Sequence, residues 1–329
     1  MTTSVSGTGG ITFPDSTTQN TGAFNGGLAF RNRLINGAMD FAQRGTSFTT
    51  PATGTYTLDR WFVNWAGAAP ASVAQVAGPT GFRKALQITG AASNTAVGVL
   101  QRVESYNCSD LSGATITIQA NIAVSAAQTV LWTLYYPTAQ DNYASSTLIS
   151  SGTWSATTTA TTFTATITGL PSGATNGLQL AIYPNNAGAF TSGTITITGV
   201  QLEKSPTATA FDYRPYGTEL ALCQRYYFRN TADQAFSIFG FGVAYSTTQA
   251  NIYSALPVSM RAIPTISGST VRIYSGTLAF TVTGFDSSLS TKNVGSLGVT
   301  VASGLTAGQG YYFQANNNTS GYVDYSAEL

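Results

Sequence analysis

Two stretches, Ala114-Thr115-Ile116-Thr117-Ile118-Gln119-Ala120-Asn121-Ile122 and Thr194-Ile195-Thr196-Ile197-Thr198-Gly199-Val200-Gln201-Leu202, alternate apolar and polar residues. Successive side chains of a strand point to opposite faces, so this period of two puts the apolar groups on one face and the polar groups on the other. The pattern recurs. Strand-like runs at residues 56–63, 82–89, 129–135, 161–167 and 177–183 complete a first block. Turn chemistry separates them, as in Leu170-Pro171-Ser172-Gly173 and Pro184-Asn185-Asn186-Ala187-Gly188. Closely spaced half-buried strands of this kind predict two packed sheets, a jelly-roll sandwich.

Composition agrees. Only 8% of the residues are charged, against about 25% in ordinary soluble domains. The solvent-facing work therefore falls to Thr, Ser, Asn and Gln, and β-branched Thr packs well on a pleated surface. The 43% apolar fraction is enough for a buried core. A second block, with candidate strands at 236–244, 250–256, 270–273, 278–282, 297–301, 311–315 and 321–326, predicts a smaller β-sandwich. Between the blocks, residues 218–227 form the best helix candidate, with Thr218 as its cap. Residues 1–27 hold too few apolar side chains for a core. They are expected to be an extended segment that orders by docking through Ile11, Phe13, Pro14 and Asp15. The expected organisation is thus all-β, with a docking segment at 1–27, a jelly roll at 28–217 and a C-terminal sandwich at 218–329.

Several functions are disfavoured. The 14 basic residues are scattered and the net charge is +1, so neither a nucleic-acid partner nor a polybasic membrane anchor is expected. No apolar run reaches the length of a membrane helix, and the N-terminus lacks a signal-peptide pattern. Cys108 and Cys223 are expected as free, buried thiols. The chain has no histidine, which removes the Ser-His-Asp and Cys-His arrangements and most zinc sites. No phosphate loop, Cys-x-x-Cys or calcium-loop run is present. No catalytic or metal-ligating residue is assigned, and no cofactor is expected. The 13 carboxylates lie singly along the chain. A glycosidase pair brought together by folding therefore stays open as an alternative.

Sugar recognition needs aromatic faces beside amides or carboxylates. Two loops fit: Tyr136, Asp141, Asn142 and Tyr143 in the first block, and Tyr312, Asn316 and Asn317 in the second. For each, a plain turn between strands is the competing reading. Leu58-Asp59-Arg60-Trp61 reads as a strand start, with a local Asp-Arg pair and a core tryptophan, in preference to a ligand pocket.

Five segments carry a family resemblance. Asn32-Arg33-Leu34-Ile35-Asn36-Gly37-Ala38-Met39-Asp40-Phe41 and Leu58-Asp59-Arg60-Trp61 resemble the opening of a domain common in bacteriophage and prophage tail-fibre proteins. Gly199-Val200-Gln201-Leu202-Glu203 and Phe211-Asp212-Tyr213-Arg214-Pro215-Tyr216-Gly217-Thr218-Glu219-Leu220 resemble its close. The match spans residues 31–228, and Ile11-Thr12-Phe13-Pro14-Asp15 resembles N-terminal fibre segments. The resemblance implies a carbohydrate-binding-module-like jelly roll displayed on a virion, commonly as a homotrimer. Such a protein is made in the host bacterial cytoplasm, joined to other tail or baseplate proteins, and adsorbs to a host cell-surface glycan. It transfers no sugar-binding residues, because the matched motifs look architectural. The alternatives are a capsule or lipopolysaccharide depolymerase of the tailspike type and a purely architectural baseplate or head appendage.

Overall fold

The computed structural model describes residues 30–329 and, before them, one pair of short antiparallel strands, β1 (Ile11–Thr12) and β2 (Thr18–Gln19). Ile11 of the expected docking signature lies in β1. Phe13, Pro14 and Asp15 lie outside the described residues.

The first block is built from β3 (Ser47–Thr49), β4 (Phe62–Gly67), β5 (Ser72–Ala77), β6 (Lys84–Thr89), β7 (Asn94–Glu104), β8 (Ile116–Val124), β9 (Gln128–Ala139), β10 (Asn142–Ala156), β11 (Thr161–Ile167), β12 (Gly177–Tyr183) and β13 (Thr194–Glu203). They form a five-stranded sheet, β10-β9-β12-β7-β4, and a six-stranded sheet, β11-β8-β13-β6-β5-β3. Every pairing is antiparallel. The chain changes sheet at most connections, which is the wrapping of a jelly roll. Ile116, Ile118 and Ile122 of β8 and Ile195 and Ile197 of β13 are fully buried between the sheets with Trp61, Leu134 and Ile182. Each such side chain stabilises the fold by roughly 1.5–3 kcal/mol.

The alternation breaks at Gly199, in the left-handed region at φ 58, where the β13–β8 register shifts. A Cβ there would sit 2.4 Å from the Phe82 ring. Beyond this bulge both faces of β13 are buried, because residues 31–38 cross its outer side. The Asn32 amide donates to the Val200 carbonyl, and the Val200 N–H donates to the Gly37 carbonyl.

A short helix, α1 (Tyr216–Gln224), leads into the second block. Pro215, not Thr218, stands at its cap, and the Thr218 N–H bonds to the Pro215 carbonyl. Then follow β14 (Tyr227–Thr231), β15 (Ile238–Ala244), β16 (Gln249–Ala255), β17 (Thr265–Ser269), β18 (Val271–Tyr274), β19 (Ala279–Asp286), β20 (Val294–Val301), β21 (Gly310–Ala315) and β22 (Tyr322–Ser326). The expected small sandwich is refined by the structure. The block does contain two sheets, but the larger closes as a six-stranded barrel, β15-β16-β20-β19-β18-β21. The three-stranded sheet β14-β22-β17 stands beside it. Thr270, at φ 54, turns the chain from β17 straight into β18 and so from one sheet to the other. Closure leaves the barrel no open edge.

The two blocks meet across a mixed seam. Ile35 and Phe41 pack with Cys223 and Tyr226. The buried Arg60 guanidinium pairs with Glu328, donates to the Arg102 carbonyl at 2.7 Å and stacks 3.6 Å from the Tyr226 ring centroid. Arg44 binds the same Glu328 at 3.0 Å, and Arg225 binds Glu104 at 3.0 Å. The expected local Asp59–Arg60 pair is not formed. Asp59 instead accepts from the Gln43 backbone and side chain, while Trp61 is fully buried as the core anchor. Cys108 and Cys223 are free and buried, and burial pushes the Cys108 thiol up to about 12.

Candidate functional site

The outer face of the five-stranded sheet carries an open cleft of about 440 Å3. Its floor is apolar: Phe62, Leu100 and Tyr183 line it, and they pack in one cluster with Ala181 and Tyr56. Alternation selects this set. In β7 and β12, Val99, Val103, Leu178 and Ile182 turn to the core, so Leu100, Arg102, Gln179 and Tyr183 turn outward. Gly98 of β7 is needed for the arrangement. A Cβ at that position would lie 2.3 Å from the Tyr183 ring, so its absence lets the tyrosine lie across the β7 backbone.

Arg102 is the charged residue of the cleft. Its guanidinium stands 4.9 Å from the Phe62 ring centroid and 4.8 Å from that of Tyr143. Nε donates to Gln179 Oε1 at 3.0 Å and Nη1 to the Leu329 carbonyl at 2.6 Å. The Tyr143 hydroxyl is directed at the Val103 and Leu178 carbonyls, 2.7 and 3.0 Å away, and burial raises its pKa far above the usual tyrosine value. Thr133 Oγ1 is buried without a hydrogen-bond partner among the described residues. Among the described residues lining the cleft there is no Asp or Glu. Aromatic and aliphatic faces beside fixed amide and guanidinium donors suit the CH faces and hydroxyls of a sugar chain. The cleft offers no acid–base pair for hydrolysis.

The structure scatters the residues read from sequence. Tyr143 enters the cleft. Tyr136 turns inward against the sandwich core, where Gly173 makes room for its ring, and its neighbour Tyr135 faces the cleft instead. Asp141 braces the β9–β10 turn, accepting from Ser105 N at 2.7 Å and Ser105 Oγ at 2.8 Å. Asn142 closes that turn by accepting from Ala144 N at 3.1 Å. In the second block Tyr312 lies exposed in β21 on the barrel's outer face. Asn316 and Asn317 lie beyond the strand's end as turn residues, with the Asn316 N–H bonded to the Thr270 carbonyl and Asn317 at φ 52. Sequence reasoning missed Phe62, Arg102, Gln179 and Tyr183. The signal for two of them was present: Gln179 and Tyr183 share a face by period two within the expected strand 177–183.

Among the described residues there is no group of three His, Cys, Asp or Glu able to hold a metal ion, and no helix long and apolar enough to cross a membrane. No family model matches the sequence, and no curated protein matches it. Solved structures to which this chain is similar include a family 4 carbohydrate-binding module, at 20% identity over 52% of this chain and 98% of that one, with a TM-score of 0.36. A second is TmCBM61 in complex with β-1,4-galactotriose, at 11% identity over 54% of this chain and 100% of that one, TM-score 0.33. A third is the enzymatically active domain of tailspike protein 4 of bacteriophage CBA120, at 13% identity and TM-score 0.38. This match covers 53% of the present chain but only 21% of the tailspike chain. Similarity at this level transfers neither ligand nor activity.

Proposed function

We propose that the chain is a non-enzymatic structural protein of a bacteriophage virion, a tail fibre or similar surface appendage, that adsorbs to a host-surface glycan through the five-stranded sheet face. One observation carries the binding role: an apolar aromatic floor and the Arg102–Gln179 donor pair share one open cleft whose described lining holds no carboxylate. The resemblance over residues 31–228 supports the virion setting. Residues 1–27, with Ile11, Phe13, Pro14 and Asp15, are assigned to docking on other tail or baseplate proteins.

Assembly with further copies is supported by the barrel's outer face, and the trimer is what the family resemblance implies. Register aligns Tyr253, Phe241, Tyr312 and Tyr274 across four neighbouring strands. Phe241 is 68%, Tyr253 54% and Tyr312 49% exposed, with Ile238, Val243 and Tyr245 also exposed around them. At about 200 Å2 per aromatic side chain, these residues leave on the order of 600 Å2 of apolar surface. A stable interface takes about 800 Å2 from each partner and is rich in aromatics. Multiple copies would multiply weak glycan contacts.

The test is binding of fluorescently labelled full-length protein to bacterial cells before and after removal of their surface polysaccharide. Staining that disappears with the polysaccharide and is lost in Tyr183→Ala is expected. Absence of staining on untreated cells favours the purely architectural reading, staining indifferent to both treatments refutes the glycan role, and release of reducing ends from the polysaccharide favours the depolymerase.

A further inference from the structure

The two motif groups that carry the family resemblance meet in space. The N–H groups of Arg31 and Asn32 bond to Asp212, and Arg214 pairs with Glu219 at 2.8 Å and reaches the Leu34 carbonyl at 3.2 Å. These bonds close the sandwich and explain why Asp212, Arg214 and Glu219 are there. They do not explain what lies beside them. At the same junction is a pit of about 130 Å3, and apart from Arg83 every residue lining it comes from 32–41 or 211–219.

The pit has aromatic walls and unused polar groups. Phe41 and Tyr216 stand 4.8 Å apart and Phe211 and Tyr213 4.7 Å apart, centroid to centroid. Asp40 is half-buried and makes no hydrogen bond among the described residues. Burial raises its pKa above the usual carboxylate value. The Arg83 guanidinium lines the pit as well and makes no hydrogen bond among the described residues.

These groups select a ligand chemistry. An anion has no proton to donate to the Asp40 carboxylate. An ammonium has no lone pair for the Arg83 guanidinium. A hydroxyl serves both, donating to one and accepting from the other. Volume limits the rest: a cavity of about 150 Å3 holds one benzene, so this pit admits no more than one of the bulkier sugar rings. We infer that this pit is a second carbohydrate site, distinct from the sheet face, that seats a single neutral pyranose between the Phe41–Tyr216 and Phe211–Tyr213 walls.

The experiment is saturation-transfer-difference NMR on the full chain with D-glucose, D-galactose, D-mannose, L-rhamnose and N-acetyl-D-glucosamine. The parent is compared with Asp40→Asn, Tyr216→Ala and the cleft variant Tyr183→Ala. At least one sugar is expected to bind the parent and Tyr183→Ala alike. Its affinity should fall about tenfold or more in Asp40→Asn, and also fall in Tyr216→Ala, with melting temperatures unchanged. Asp40 makes no hydrogen bond among the described residues, so its variant should fold. No signal from any of the five sugars would overturn the inference, as would a signal that survives Asp40→Asn. A signal lost in Tyr183→Ala alone overturns it as well, while leaving the sheet-face reading intact. Retention of the monosaccharide signal alongside failure of polysaccharide binding would separate the two in the opposite direction.

Discussion

Replacing Glu328 with Gln should cost far more stability than any surface ion pair in the molecule. Arg60 is 1% and Glu328 7% exposed, and Arg44, at 11%, shares the same carboxylate. The amide keeps the shape but removes the charge, leaving two guanidiniums in the seam with no anion between them. Removing one partner of such a buried pair costs about 3–5 kcal/mol, because the surviving charge stays desolvated. Arg60 retains the Arg102 carbonyl and the Tyr226 ring, so the lower half of that range is expected. The comparison is Lys204→Ala, which breaks a pair with Asp110 whose side chains are 46% and 44% exposed. Exposed pairs contribute roughly 0–1 kcal/mol. Urea unfolding followed by tryptophan fluorescence and far-UV circular dichroism measures both variants, with ΔG extrapolated to water. A loss below about 1 kcal/mol for Glu328→Gln, or equal losses for the two variants, would refute the reasoning.

Three further outcomes follow from particular residues. Burial lifts the Asp59 carboxyl to about 6, above its unfolded value of about 3.9. The folded state thus holds that proton more tightly, and the parent loses stability as pH rises from about 4 to 6 before levelling off. Asp59→Asn should remove that slope, so unfolding curves at pH 4 and pH 7 shift by up to about 3 kcal/mol in the variant's favour at the higher pH; parallel curves contradict the assignment. Phe241→Lys should turn an oligomer into monomer in light scattering while leaving the far-UV circular dichroism spectrum unchanged, and a parent already monomeric argues against the barrel interface. Gly98→Val should displace the Tyr183 ring and weaken glycan binding by about tenfold or more, whereas unchanged affinity argues that the ring is not a contact.

The fold was legible where one face of a strand is buried and the other wet. The strands at 161–167 and 177–183 appear at their expected bounds. Strand β7 was not legible, because Val97, Val99, Leu100 and Val103 are buried on both faces of its sheet and erase the alternation. Strand β10 was hidden by its Ser/Thr-rich, largely exposed sequence. Barrel closure depends on which strands pair at long range, which local pattern does not encode. The site was less legible than the fold. Loops drew attention to Asp141 and Asn142, which stabilise a turn, while Arg102 and Tyr183 lie within strands and gain their meaning from neighbours far along the chain. The resemblance motifs were read as architectural, and Asp212, Arg214 and Glu219 do form such a closure. The pit beside them became visible only when residues nearly two hundred positions apart were brought together.

The most direct measurement is binding of the full-length protein to an array of bacterial surface polysaccharides, with reducing ends assayed in the same wells. Retention of a defined set of glycans by the parent, loss of that set in Tyr183→Ala and Arg102→Ala, and no new reducing ends is the predicted result. A parent that retains no glycan, cleft variants that bind as the parent does, or glycan cleavage abolished by changing one carboxylate would contradict it.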